Sequence, residues 1–336
     1  MDNRTAAAAH FLDNTNWAAA HRRFLAGDAS DRRYERLHLD GKTAVLMDAP
    51  LGKGDDPADF IAIAAHLNGL GLSAPRILAQ DLANGFLLIE DLGDALFAGL
   101  VDQDPSTEQE LYAAATDVLL HLQSRPAPPN LPNLAAKDWA QAAGFALDWY
   151  RFSVVGQAAG STNFHETLTH LIKTHADGPR VLILRDYHAE NLLWLPGRHG
   201  LARVGLLDFQ LGQMGQPAYD LVSLLQDARR DVSPEVEAAM IARFRKSADP
   251  EAFSTAYATI GAQRALRILG IFARLCLVAG KAQYVSLIPR VWAQLQRNLA
   301  HPALAELAEI CAALLPEPTP QALERIRTLC GTNPTR

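Results

Sequence analysis

The chain has 336 residues, 49% of them hydrophobic, enough for about two domains with cores of their own. Its net charge of -6 argues against a nucleic-acid partner, and no run reaches the ~18–20 apolar residues that span a bilayer. The three distant cysteines, Cys276, Cys311 and Cys330, form no Cys-x-x-Cys pair, and the N-terminus lacks a secretory apolar core, so a soluble, cytoplasmic protein with reduced thiols is expected.

A short helix is predicted over 4–13 and a first strand over 21–26. Two alternating runs follow at 32–39 and 43–49, joined by Asp40-Gly41-Lys42, a strong hairpin signal. Residues 57–70 place Phe60, Ile61, Ala64, Ala65 and Leu67 at helical spacing, and Asn68-Gly69 with Pro75 close behind ends that helix. Two more strands, ILAQD and GFLLIEDLG, turn at Asn84-Gly85. Beyond residue 93 the pattern becomes helical, with predicted helices at 107–124, 137–150, 163–176, 234–247, 253–279 and 282–299. One β-like island interrupts them at 181–209. The expectation is an α+β fold of two lobes: a small β-rich lobe over 1–92 and a larger helical lobe over 93–336, joined at IEDLG (89–93).

The island carries the chemistry. An apolar run, Leu182 to Leu184, ends at Arg185-Asp186, and Asn191 follows five positions later. A second apolar run ends at Asp208-Phe209. Phosphoryl transfer needs a carboxylate to orient the attacking hydroxyl and take its proton, and oxygen ligands for the Mg2+ that neutralises the triphosphate. Asp186 is the candidate base; Asn191 and Asp208 are the candidate metal ligands. A hairpin between them is expected to bring Asn191 and Asp208 to neighbouring strand ends. The alternative is that these polar residues only cap a turn.

LRDYHAENLLWL followed by GLLDFQ resembles the catalytic loop and metal motif of the aminoglycoside phosphotransferase and choline kinase superfamily. That resemblance implies a two-lobed protein-kinase-like fold, with Asp186 as base and Asn191 and Asp208 holding Mg2+. SDRRYERL, VLMDAP, GFLLIEDLGD and GAQRALRILGIFARL with IPRVW extend the resemblance over nearly the whole chain, to the anomeric kinases of N-acetylmuramate and N-acetylglucosamine that serve bacterial cell-wall recycling. It implies ATP and Mg2+ as cofactors, a small amino sugar as substrate, a sugar 1-phosphate as product, and a monomer without nucleic-acid or membrane partners.

The sequence departs from the protein-kinase pattern at the strand Lys and helix Glu. Met47 and Asp48 stand where the Lys belongs, and Asp59 is the only acidic candidate on the helix. Arg32 or Arg33, in the polar loop 27–33, is the candidate to reach the phosphates; the alternative is that both are solvated. Glu90, Asp91 and Leu92 lie where backbone groups hold adenine in the fold this chain resembles. His188, inside the catalytic loop, reads as structural more readily than as a substrate contact, and Asp220 as a support of that loop.

From Ala252 to Ala305 there is no Asp or Glu, while Arg264, Arg267, Arg274, Lys281, Arg290 and Arg297 all fall there. Arg267 and Arg274 share a helix face. Such a surface suits an anionic sugar through Arg contacts and repels a polycation; the alternative is an interhelical or solvated face. Tyr150, with Trp149 and Phe152, is either a stacking wall or core. Competing functions are a kinase of the same superfamily acting on an aminoglycoside, choline or homoserine, and a nucleotide-binding pseudokinase, which the missing Lys–Glu pair invites.

Overall fold

A computed structural model describes residues 3–27, 32–52, 56–157, 159–246 and 248–333. The chain packs as two compact units, residues 1–130 with 184–213 and residues 131–183 with 214–336. The lobe boundary expected at 92/93 falls inside the first of these packing units.

The first unit is built on a five-stranded antiparallel sheet ordered β1-β2-β3-β5-β4. Its strands are β1 (His21–Gly27), β2 (Arg33–Leu39), β3 (Lys42–Asp48), β4 (Ile77–Asp81) and β5 (Phe86–Glu90). Asp40 and Gly41 take φ of 49° and 75°, the paired left-handed residues of a two-residue hairpin turn, so Leu39 pairs with Lys42 and the register of β2 and β3 follows. Helix α1 (Asn3–Asp13) covers one face of the sheet, packing Ala8, Phe11 and Leu12 on Leu37, Ala44, Leu46, Phe86 and Leu88. Helix α2 (Pro57–Gly69) starts where the Asp56 carboxylate accepts the Ala58 N–H, with Pro57 in its first turn, and buries Phe60, Ile63, Ala64 and Leu67. Helices α3 (Phe97–Gln103) and α4 (Glu108–Gln123) follow. The unit closes with the hairpin β7 (Leu192–Trp194) and β8 (Val204–Leu206), antiparallel with Leu192 opposite Leu206.

The second unit is almost wholly helical: α5 (Ala136–Ala143), α6 (Phe152–Val155), α7 (Thr162–His175), α8 (Tyr219–Leu225), α9 (Pro234–Arg245), α10 (Pro250–Ala279), α11 (Ile288–Leu299), α12 (Ala305–Leu314) and α13 (Pro320–Thr328), with short strands β6 (Val181–Ile183) and β9 (Gln213–Gly215). α10 begins three residues earlier than expected because Asp249 caps it, accepting the Ala252 N–H, and Pro250 fits its first turn. The helix predicted over 137–150 is broken: α5 stops at Ala143 and a π-helical turn runs from Ala146 to Arg151. Gly270 of α10 explains the close approach there, since a Cβ at that position would stand 2.2 Å from the Phe145 carbonyl. The helix predicted over 282–299 starts as a 3-10 turn, Ala282–Leu287, and becomes α-helical only at Ile288, because Pro289 has no N–H for a continuing ladder. Helices α3, α6, α8, α12 and α13 were not anticipated; every residue of α8 is buried, which erases the amphipathic period. Among the described residues no helix is long and apolar enough to cross a membrane.

Candidate active site

The apolar strand β6 ends in a loop with strained backbone. Arg185 takes φ of 72°, a left-handed conformation that costs a non-glycine residue about 1–2 kcal/mol. The loop is then tied from several directions. The Asp186 N–H donates to the Leu184 carbonyl (2.9 Å), and the Asn191 N–H to that of His188 (2.8 Å). Tyr187 is buried, and its hydroxyl donates to the Ala115 carbonyl of α4 (2.9 Å).

Asn191 closes the loop on itself. Its amide Nδ2 donates to the Asp186 carbonyl at 2.9 Å and lies 3.3 Å from His188 Nε2. The nitrogen end of the amide is thereby committed to the loop, and its oxygen, the end a hard cation wants, points the other way. His188 is 3% exposed, and its ring packs within the loop beside Asn191.

The hairpin does what its pattern predicts. With Leu192 opposite Leu206, and the Leu207 N–H donating to the Asn191 carbonyl at 3.0 Å, Asn191 and Asp208 flank the same end of the ladder. Asp208 is left-handed too, with φ of 55°, and the next residue, Phe209, is buried and stacked on Phe60 of α2 at 4.8 Å. The Asp208 carboxylate, one-third exposed, receives Arg32 Nη2 and Gln210 Nε2 at 2.9 Å each, both on Oδ1. No cage of three or more His, Cys, Asp or Glu side chains exists among the described residues. One carboxylate and one amide oxygen instead fit Mg2+, which keeps waters and takes substrate phosphates for its remaining ligands.

The other candidate residues sort by burial. Arg32 is 4% exposed and bound to Asp208, so it is neither solvated nor extended into a cleft. Arg33 is exposed and borders a small cavity with Arg4, Arg22, Glu35 and Asp48. Asp48, at the place of the missing Lys, is paired with Arg4 of α1, and Met47 is fully buried in the sheet, a core residue with no surface to offer a nucleotide. Glu90 is gripped by Arg76 (3.1 Å) and Arg198 (2.7 Å), so its carboxylate serves the end of β5; Leu92 is half-buried. Asp91, with Asp94, pairs with Arg36 of β2, and this pairing holds the Asp94 carboxyl below its ordinary range.

In the second unit Tyr150 is fully buried and its hydroxyl donates to the Pro316 carbonyl at 2.7 Å; it is core, not a stacking wall. Burial pushes that phenol well above its usual value. Arg267 is half-buried; Arg274 is exposed and lies over the Trp149 ring at 5.7 Å. Much of the acid-free basic stretch is neutralised from outside it. Arg264 is buried against Ser223 and the Gln226 carbonyl, Arg290 pairs with Asp231, and Arg297 with Glu237. A cleft of about 360 Å³ opens beside those last two pairs. Leu225, Val232 and Ala293 form its apolar wall, and Asp231, Gln294, Arg290 and Arg297 its polar one. Of these residues only Arg290 and Arg297 were singled out from sequence, although the charge-dense QDARRD at 226–231 was a readable signal for Asp231.

The geometry can be set beside known proteins. A model of the phosphotransferase enzyme family (APH) matches residues 21–254. An N-acetylmuramate/N-acetylglucosamine kinase from Caulobacter vibrioides is 40% identical, covering 90% of this chain and 94% of the relative. One from Pseudomonas aeruginosa is 34% identical, covering 86% and 87%. Among solved structures, ADP-bound aminoglycoside phosphotransferase APH(2'')-Ib superposes with a TM-score of 0.59 at 14% identity, over 91% of this chain and 99% of that one. An ethanolamine kinase from Plasmodium vivax gives 0.57 at 12% identity, over 89% and 87%.

Proposed function

The chain belongs to the phosphotransferase enzyme family, and from that premise we propose that it transfers the γ-phosphoryl group of ATP to the anomeric hydroxyl of N-acetylmuramate or N-acetylglucosamine. The product is the sugar 1-phosphate, feeding peptidoglycan recycling, and the working form is a cytoplasmic monomer. The nucleotide is assigned to the lobe 1–92 and the catalytic and sugar-binding groups to 93–336. The observation that carries the reading is the joined loop: Asn191 bonded to the Asp186 backbone and, across one hairpin end, Asp208 with a buried cation at its side. The two relatives named as kinases of these sugars support the choice of acceptor.

Asp186 accepts the proton of the attacking hydroxyl, whose oxygen bonds to the γ-phosphorus as the bond to ADP breaks, in line and without a covalent enzyme intermediate. Asn191 and Asp208 hold Mg2+, which when bound neutralises charge on the triphosphate. Arg33, exposed at the start of β2, is the cation assigned to the phosphates in place of the strand Lys. Positioning and charge neutralisation supply the catalysis. The cleft beside Ala293 has the volume of a small-ligand site and the mixed wall that a sugar ring with polar substituents needs, so it is the assigned sugar pocket.

A coupled ATPase assay with Mg2+ tests the reading against N-acetylmuramate, N-acetylglucosamine, kanamycin, choline and homoserine. Turnover is expected with the two N-acetyl sugars only, with loss of the product's reducing end. Turnover with a cationic alcohol alone rejects the sugar assignment, and silence with nucleotide still bound favours a pseudokinase. Ala293 is exposed, so Ala293→Trp fills the cleft without disturbing the core; the sugar KM should rise at least tenfold with the ATP KM unchanged.

A further inference from the structure

Among the described residues, the Asp208 carboxylate is held by side chains from two separate parts of the chain. Arg32 arrives from 176 residues away and places Nη2 2.9 Å from Oδ1. Gln210 stands two residues on and places Nε2 2.9 Å from the same oxygen. Both donors are themselves buried, at 4% and 5% exposure, whereas the carboxylate they grip is one-third exposed. The backbone makes the second contact possible: φ of 55° at Asp208 turns the chain so that the i+2 side chain folds back onto the i carboxylate, and Phe209, stacked on Phe60, locks the turn to α2.

A carboxylate free to rotate presents its oxygens to a cation in many orientations. One whose Oδ1 is fixed by two rigidly buried donors presents them in one. An amide suits position 210 because it donates; a carboxylate there would set like charge against Asp208, and a glycine would leave only Arg32. We infer that Gln210 and Arg32 are positioning residues for Asp208, acting together as a two-donor clamp that sets the affinity of this site for a divalent cation. The inference rests on the reading that Asp208 is a metal ligand.

The test is a titration of Mn2+ in the presence of ADP, following free Mn2+ by electron paramagnetic resonance on the full chain. Gln210→Met keeps the length of the side chain and removes the donor. Mn2+ should bind roughly tenfold more weakly, with ADP affinity in EDTA and the thermal melt unchanged. Arg32→Met should weaken Mn2+ similarly, and Arg32→Lys should retain more affinity than Arg32→Met. Should Gln210→Met not fold, Gln210→Asn, which keeps the amide but shortens its reach by one methylene, is held to the same tenfold criterion. Mn2+ binding within twofold of the parent in both the 210 and the Arg32→Met variants overturns the clamp. Asp208→Asn separates the two levels. If it weakens Mn2+ while the clamp variants do not, only this inference fails; if it too leaves Mn2+ unchanged, the metal reading of Asp208 fails with it.

Discussion

Asp186 is positioned by its own backbone more than by its neighbours. The left-handed Arg185 turns the chain out of β6, and the Asn191 amide captures the Asp186 carbonyl, so the side chain emerges from a loop with little freedom. A general base contributes about 10²–10⁴-fold. Asp186→Asn keeps size and polarity and should lower kcat by that factor, with the ATP dissociation constant within about twofold of the parent by calorimetry; a variant with normal kcat removes Asp186 from the base role. Asp227 is a residue of a different kind. Burial pushes its carboxyl pKa up, against the opposing pull of the Arg229 N–H and of Arg229, Arg264 and Arg230. A carboxyl whose folded pKa lies above its unfolded one favours folding while protonated and loses that contribution as pH rises through the folded value. Asp227→Asn, which still accepts the Arg229 N–H, should therefore be more stable than the parent at pH 7, and the difference should vanish below pH ~4. Denaturant melts at the two pH values check the sign.

At the scale of elements, α10 and α11 act as the frame for the 226–231 segment. Arg264 donates to the Gln226 carbonyl, Gln294 to the Asp227 carbonyl at 2.8 Å, and Arg290 to the Arg229 carbonyl at 2.9 Å. Gln226 and Asn298 exchange side-chain amide hydrogen bonds at 3.1 and 2.8 Å. So the wall of the cleft is a loop by sequence but is held like part of the core. The frame depends on helices that approach closely, and Gly270 is where α10 meets the chain at Phe145. Gly270→Ala gains helix propensity of roughly 1 kcal/mol but drives a Cβ into backbone that cannot yield, an overpacking that costs about 1–3 kcal/mol or more. Net destabilisation is expected by urea unfolding; a neutral or stabilising result means the π-helical turn at 146–151 adjusts at little cost.

For the whole molecule, a kinase that binds Mg-ADP in its folded form must be stabilised by it. At a hundred times the dissociation constant the gain is about 2.7 kcal/mol. The midpoint of thermal unfolding should rise with Mg-ADP, and in Asp208→Asn the part of the rise that depends on Mg2+ should disappear. A parent protein whose melting is indifferent to nucleotide contradicts the kinase reading as a whole. The fold itself is shared with aminoglycoside and ethanolamine kinases at identities of 12–14%, which shows the architecture and chooses neither the reaction nor the acceptor.

By itself the sequence determined what depends on short-range pattern. Asp40-Gly41 set the hairpin and its register, alternation set β2 and β3, short apolar runs marked the 181–209 island, and the spacing of Asp186, Asn191 and Asp208 marked the candidate site, because turns and short runs are decided by neighbouring residues. Contacts between distant residues were decided only by the tertiary structure. Arg32 and Arg33 are adjacent and chemically alike, yet one is buried on Asp208 and the other is exposed, since the pairing partner lies 176 residues away. Met47 and Tyr150 became core, and the basic stretch after Ala252 found its counter-charges in Asp231 and Glu237, outside the stretch. Local propensity carries no information on which distant surface a side chain will meet; packing and the cost of burying an unpaired charge decide that.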